Sequence, residues 1–315
     1  MKTRQAWVGL VMACLVASAP GRLSRAQTRV DGERLLRHVE TLASDAFAGR
    51  ATGTKGGAKA QAYVQRAFAD LGLEPFGAYA HPFKYETRGG RMIEGGNVLG
   101  FVRGTERPDS FMVVSAHFDH LGVRGGEVYN GADDNASGVA VLLEAAAFFK
   151  AHPPAHSILF AAFDAEEAGL RGARAFLEDP PVDPAALVLD VNLDMVSRSE
   201  KGELFAAGTY QAPYLKPYLA EAARRSAVSL RFGHDRPELG HDDWTSASDH
   251  GAFFEAGIPF VYFGVEDHPD YHRPSDDFAR ISPEFFVAAA ETILDALVTL
   301  DAHLGAIRAR AVLNP

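Results

Sequence analysis

The sequence predicts a single α/β domain with a mostly parallel central sheet covered by helices on both faces. Three observations predict it. Short apolar runs, NVLGFV (97–102), FMVVSA (111–116), ILFAAF (158–163), ALVLDVNL (186–193) and FVYFGV (260–265), read as strands buried on both faces. Segments of helical spacing alternate with them, the pattern of a parallel sheet wrapped by helices. After its first residues the chain shows no repeat, low-complexity block or linker that would divide it.

Taken in order, the N-terminus is set apart first. MKTRQ carries two positive charges, AWVGLVMACLVASA is apolar but short for a membrane span, and Ser24-Arg25-Ala26 offers small residues at signal-peptidase spacing. Residues 1–26 are therefore expected to be a signal peptide, and the product to be exported to the periplasm or the medium. A lipoprotein signal at Cys14 is the poorer reading, because the apolar run continues past it. Removing 26 of 315 residues leaves 289 (27–315), one large catalytic domain. Cys14 is the only cysteine, so the mature chain is expected to have no disulfide. The leader also takes four of the 31 basic residues and no acid, leaving 27 against 41 acidic residues. That balance argues against nucleic acid or an anionic membrane as partner. No second segment is apolar enough for stable membrane insertion after signal cleavage.

Helices are expected at 32–44 and 57–72, with the Gly-rich SDAFAGRATGTKGG as the loop between them. Further helices are expected near 137–150, 169–177, 212–226, 250–256 and 282–303, the last with Ser282 as cap and Pro283 at its first position. The polar stretch 227–249 is expected to be irregular and to roof something.

In open α/β sheets ligands bind at the carboxyl ends of strands. FMVVSA is followed by His117 and Asp119, ILFAAF by Glu166 and Glu167, ALVLDVNL by Asp194, and FVYFGV by His268 and His272. GADDNASG, with Asp133 and Asp134, opens the helix beside the first of these. An Asp pair at a helix entrance is ordinarily a cap. Metal-type ligands recurring at one sheet edge overturn that reading. Imidazoles with carboxylates and no thiol suit zinc, or cobalt or manganese. They exceed one four-coordinate site and fit two ions sharing a carboxylate, a pair that can hold one hydroxide and polarise a carbonyl. Asp119, two residues after His117, can orient its ring. Of the neighbours Glu166 and Glu167, one can bind metal while the other takes a proton.

Together HFDHLG, GADDNASG, FDAEEAGLRGA, NLDMV and YHRPSDD resemble the co-catalytic di-zinc aminopeptidase family, which also contains carboxypeptidase and glutaminyl cyclase relatives. The resemblance runs from about Leu35 to the C-terminal helix. It implies two Zn2+ ions bridged by Asp134, with His117 and Asp194 completing one site and Glu167 and His272 the other. It implies Glu166 as general base, Tyr271 as an oxyanion partner, and a cis peptide bond at Asp134–Asn135. Asp119, His120, Asp133, Asp249 and His250 become supporting residues. His38, His81, His152, His156 and His303 are expected to be solvated. The implied activity is removal of the N-terminal residue from peptide substrates. A single-zinc glutaminyl cyclase is the alternative, opposed by the Ser-Gly after the bridging acid and by EEAGLRGA. A carboxypeptidase or dipeptidase and a non-catalytic binding module are further alternatives, the last opposed by the full ligand set. Side-chain preference and oligomeric state are not legible in the sequence.

Overall fold

Four apolar strands form the centre of the sheet because each buries both faces. In the computed structural model, which describes residues 30–313, they are β3 (Arg107–His117), β6 (His156–Phe163), β7 (Leu187–Leu193) and β10 (Phe260–Gly264). The expected signal peptide lies outside the described residues. β6, β3, β7 and β10 are adjacent and parallel. On one side the sheet is completed by β2 (Met92–Val102), antiparallel to β6, and by the edge strand β1 (Ala80–Glu86), antiparallel to β2. On the other side β8 (Glu203–Ala207) pairs antiparallel with β10, and β9 (Ser229–Phe232) pairs parallel with β8. A separate small hairpin is formed by β4 (Gly122–Arg124) and β5 (Glu127–Tyr129).

Alternation along each strand sorts the core into two layers. Met112, Val114 and Ala116 of β3 face one layer, with α1 (Gly32–Leu42), α2 (Lys55–Leu71), α3 (Gly138–Ala151), α5 (Lys216–Ala223) and α7 (Pro283–Leu313). Phe111 and Val113 face the other, where α4 (Arg171–Glu178) and α6 (His250–Glu255) bring Phe176 and Phe253. Phe176 packs 5.7 Å from Phe163 and 5.9 Å from Phe253, ring centre to ring centre. Burying each such ring contributes about 1.5–3 kcal/mol. α3 can be apolar all round because almost all of it is buried. No described helix is long and apolar enough to cross a membrane.

The fold class is as expected, with corrections in detail. NVLGFV is the buried half of β2; the earlier half pairs with β1, whose alternating exposure and Pro82 suit an edge strand. β8 and β9 were not expected. The expected helix at 212–226 is a short turn, Pro213–Leu215, followed by α5, and α7 runs on to Leu313. His156 is buried against Asp301 (Nδ1 to Oδ1, 3.2 Å) rather than solvated. His38 is half-buried on the Tyr63 hydroxyl at 2.7 Å, and burial, helped by Arg34 and Arg37, pulls its pKa down to about 4.

The order of the central strands positions the site. The chain leaves β3 to form β6 on one side of it, then crosses back to form β7 on the other. Connections that part in this way open a crevice at the carboxyl ends of the strands.

Candidate functional site

His117 is the last residue of β3 and is buried. Its Nδ1 lies 3.1 Å from the backbone oxygen of Asp119, which can only accept, so Nδ1 carries the proton and the Nε2 lone pair faces inward. Nε2 then meets Asp134 Oδ1 and Asp194 Oδ1, each at 3.4 Å. Three acceptors facing one another require a cation or added protons. The Asp119 carboxylate is not the closer partner of this ring, lying 3.6 Å from Nδ1. It accepts instead from the backbone N–H groups of Glu166 (3.0 Å) and Glu167 (3.3 Å), and so fixes the turn that carries both glutamates.

Asp134 lies in the wide turn Ala132–Ser137 at the entrance of α3, with a cis peptide bond to Asn135, as the resemblance implied. The helix takes its local cap from Asn135, whose Oδ1 accepts from Gly138 N at 2.8 Å. Both aspartates are therefore free for other partners. Asp133 turns away to Ser197 and His268: Oδ1 accepts from Ser197 Oγ at 2.7 Å, and Oδ2 is 3.1 Å from His268 Nε2. Asp134 turns toward the imidazoles, and Asp276 holds it there. The two Asp276 oxygens accept from Asp133 N and Asp134 N at 3.0 and 3.1 Å.

His272 Nε2 lies 3.0 Å from Asp134 Oδ2 and 3.5 Å from Glu167 Oε2. His120, expected only as a supporting residue, comes equally close: its Nδ1 is 2.7 Å from Glu167 Oε1 and 3.7 Å from Asp134 Oδ2. Among the described residues two groups place a ligand atom from each member within 4.8 Å of the others. They are His117 with Asp134 and Asp194, and His120 with Asp134 and Glu167. Asp134 belongs to both. The signal for His120 was present in HFDH, but spacing in an irregular loop does not say where a ring points.

The donor atoms fit metal ions. Asp194 Oδ1, Glu167 Oε1 and both ring nitrogens of His120 are buried without a well-directed hydrogen bond. Such orphaned groups are costly unless something coordinates them. With protein groups alone, protons must supply the missing positive charge. Burial opposes an imidazolium at His272, yet hydrogen bonds to Asp134 and Glu167 push its pKa up to about 10. His117 is raised well above its ordinary value against burial, chiefly by Asp194 and Glu166. Two divalent ions would satisfy the same carboxylates without protons.

Glu166 lines the cavity beside these groups. Burial raises its carboxyl well above the usual range; His117 opposes this, and Asp249, Asp194 and Glu167 add to it. Tyr271 stacks on His272 at 3.9 Å, and burial next to Asp134 and Asp194 pushes its hydroxyl pKa up, keeping it protonated. Left-handed backbone at Ala165, Met195 and His272, with φ of 61°, 54° and 53°, aims three of these segments. Non-glycine residues adopt that conformation at a cost that functional sites often carry.

The cavity measures about 740 Å³. The 227–249 stretch does roof it, through His241, Asp242, Asp243 and Trp244, with Trp244 stacked on His234 at 3.7 Å. A second groove of about 790 Å³, between α2 and the β1–β2 hairpin, touches this region only through Asp164 and carries no such ligand set.

Similarity to known proteins bears on what this site is. Aminopeptidase YwaD of Bacillus subtilis is 31% identical over 211 residues, covering 64% of this chain and 44% of that protein. A glutamate carboxypeptidase 2 homolog of Caenorhabditis elegans is 42% identical over 209 residues, covering 56% of this chain and 26% of that one. The chain thus spans less than half the length of these relatives. Among solved structures, BSAP, a zinc aminopeptidase from Bacillus subtilis, superposes with a TM-score of 0.71 at 19% identity, over 86% of this chain and 95% of that one. A Bacteroides thetaiotaomicron glutaminyl cyclase does so with a TM-score of 0.69 at 18% identity, over 86% and 98%. These likenesses establish a shared fold. The model of peptidase family M28 matches residues 97–297, a span that takes in His117, Asp134, Glu166, Glu167, Asp194 and His272, and the chain belongs to that family.

Proposed function

We propose that this chain is an exported zinc exopeptidase that acts as an aminopeptidase. One observation carries the choice of substrate end. The cavity lining includes Asp242, Asp243, Glu266 and Asp267 beside the candidate ligand carboxylates, and among the described residues no lysine or arginine. Such a wall attracts the ammonium group of a free N-terminus and repels the carboxylate of a C-terminus, which is usually met by Arg or Lys.

His117, Asp134 and Asp194 would hold one zinc, and Asp134, Glu167 and His272 the second. When bound, the pair would supply Lewis acidity toward the scissile carbonyl and lower the pKa of water. Glu166 accepts the proton of the attacking water and returns it to the leaving amine. Tyr271, held protonated, donates a hydrogen bond where negative charge develops on the carbonyl oxygen. Asp119 fixes Glu166 and Glu167 through their backbone.

The test pairs free amino-acid amides with N-acetylated peptides, before and after chelation. Hydrolysis of the free amides alone, lost to a chelator and restored by zinc, is expected. Release of C-terminal residues from blocked peptides would make the protein a carboxypeptidase. Cyclisation of N-terminal glutamine, with one zinc and no hydrolysis, would make it the cyclase. Export is tested by N-terminal sequencing of the secreted product, which should begin near Gln27; an active, soluble product that retains Met1 rules the leader out.

His120 and His272 should separate by metal content. His272 lines the cavity and His120 is buried behind Glu167. His272→Asn is expected to remove one zinc. His120→Asn should keep both ions and weaken one by about 10–100-fold, as loss of a supporting partner does. The reverse pattern, measured by metal analysis after dialysis, would make His120 the ligand.

A further inference from the structure

Arg50 is the only arginine buried among the described residues, and nothing in the proposed chemistry uses it. Its hydrogen bonds go to backbone carbonyls. Nε donates to Phe118 O at 2.8 Å, Nη1 to Leu42 O at 2.8 Å and Asn130 O at 2.5 Å, and Nη2 to Gly131 O at 2.9 Å. Phe118 lies between His117 and Asp119, and Gly131 leads into the turn that carries Asp134. One planar fork therefore ties the segment after β3 to the entrance of α3. Those two segments carry His117, Asp119, His120 and Asp134.

The local backbone is shaped to deliver this side chain. Ala48, Gly49 and Arg50 all have left-handed φ, at 47°, 65° and 53°. A Cβ at Gly49 would fall 2.5 Å from the carbonyl oxygens of Gly122 and Tyr129, so only glycine fits beneath the small hairpin. Consecutive left-handed residues persist only where surroundings enforce them. Burial pulls the guanidinium down to about 10, opposed by Asp134, Asp276, Asp119 and Glu167, so it remains charged at neutral pH facing the acidic cluster.

We infer that Arg50 is a positioning residue for the metal centre, setting the spacing of His117 and His120 from Asp134 by clamping the carbonyls of the loops that carry them. This inference rests on reading the site as a zinc centre. Lysine cannot substitute, because three N–H groups on one nitrogen do not reach carbonyls spread around a planar fork.

The experiment measures zinc affinity by competition with a chromophoric chelator, alongside urea unfolding and steady-state kinetics. Arg50→Lys is compared with Phe47→Leu, a buried position in the same turn that bonds neither ligand segment through its side chain. Arg50→Lys is expected to bind zinc at least about tenfold more weakly, the size of effect seen when a ligand's support is lost. Its kcat should fall with KM little changed. Phe47→Leu should lose stability yet keep wild-type zinc affinity. Wild-type affinity in Arg50→Lys, or an equal loss in Phe47→Leu, overturns the inference. Should Arg50→Lys fail to fold, the wild-type protein labelled with 15N-arginine decides: the exchange-protected Arg50 guanidinium should shift on zinc addition, and an unmoved signal overturns the inference. A wild-type chain that binds no zinc overturns the metal reading itself, and this inference with it.

Discussion

Glu166→Gln is expected to lower kcat by about 10²–10⁴-fold, the ordinary worth of a general base, while zinc content stays near two per chain. The amide keeps the size of the side chain but cannot accept a proton from water. Residue 166 belongs to neither group of buried ligand atoms, His117 with Asp134 and Asp194 or His120 with Asp134 and Glu167. The backbone N–H of residue 166 would still donate to Asp119 Oδ1, so the turn should survive. KM should change much less than kcat, because on the proposed reading the substrate amine would be met by Asp242, Asp243, Glu266 and Asp267, which line the same cavity.

Glu167→Gln should differ in kind. Its carboxylate faces both His120 and His272, and their hydrogen bonds and charge hold its pKa far below the usual range despite burial. The neutral amide should release one zinc, and excess zinc should restore part of the activity. Zinc stoichiometry with steady-state kinetics on both variants decides. Loss of metal from Glu166→Gln with retention by Glu167→Gln would exchange the two roles, and full activity in both would leave the site assignment without support.

The central sheet was legible because β3, β6, β7 and β10 bury both faces over their central stretches, so that FMVVSA, ILFAAF, LVLDVNL and FVYFG are largely apolar. The flanking strands were not. β1 alternates in exposure over AHPFKYE, the first half of β2 is MIEGG, and β9 is the four-residue SLRF with alternate residues exposed. Edge strands of this kind carry too little apolar periodicity to stand out from loops. The candidate ligand residues stood out for the same reason as the core, since each follows a recognisable strand or opens a recognisable helix. Which of two near neighbours points inward was not legible from spacing. Asp133 and Asp134 part only because Ser197 and His268 claim the first while Asp276 and the imidazoles orient the second. His120 and Arg50 lie in irregular segments, where nothing in the order of residues distinguishes a buried, multiply bonded side chain from a solvated one.

Asp134→Asn should have the largest effect on metal binding, because Asp134 is the one residue common to both groups of ligand atoms. Its two oxygens serve different partners: Oδ1 lies 3.4 Å from His117 Nε2, and Oδ2 lies 3.0 Å from His272 Nε2. Asparagine leaves one neutral acceptor and puts an NH₂ donor where the other oxygen was. Both sites should weaken together, by more than the roughly 10–100-fold that follows loss of a supporting partner. Activity should fall to background at any zinc concentration the protein tolerates. Asp276→Asn is the informative companion. It leaves every ligand in place and weakens only the carboxylate that receives Asp133 N and Asp134 N. Its loss of affinity should therefore stay within that 10–100-fold range and be recoverable with added zinc. Thermal unfolding separates ligand from scaffold. Zinc should raise the Tm of the wild type and, at higher concentration, of Asp276→Asn, since a ligand that binds only the folded chain stabilises it. It should leave Asp134→Asn unmoved. Without zinc, Asp134→Asn should be less stable than the wild type, because against burial the imidazoles of His120, His272 and His117 hold the Asp134 carboxyl below its usual range, and the change takes away their buried partner. A zinc-dependent rise in Tm for Asp134→Asn equal to that of the wild type would mean that this carboxylate does not join the two sites.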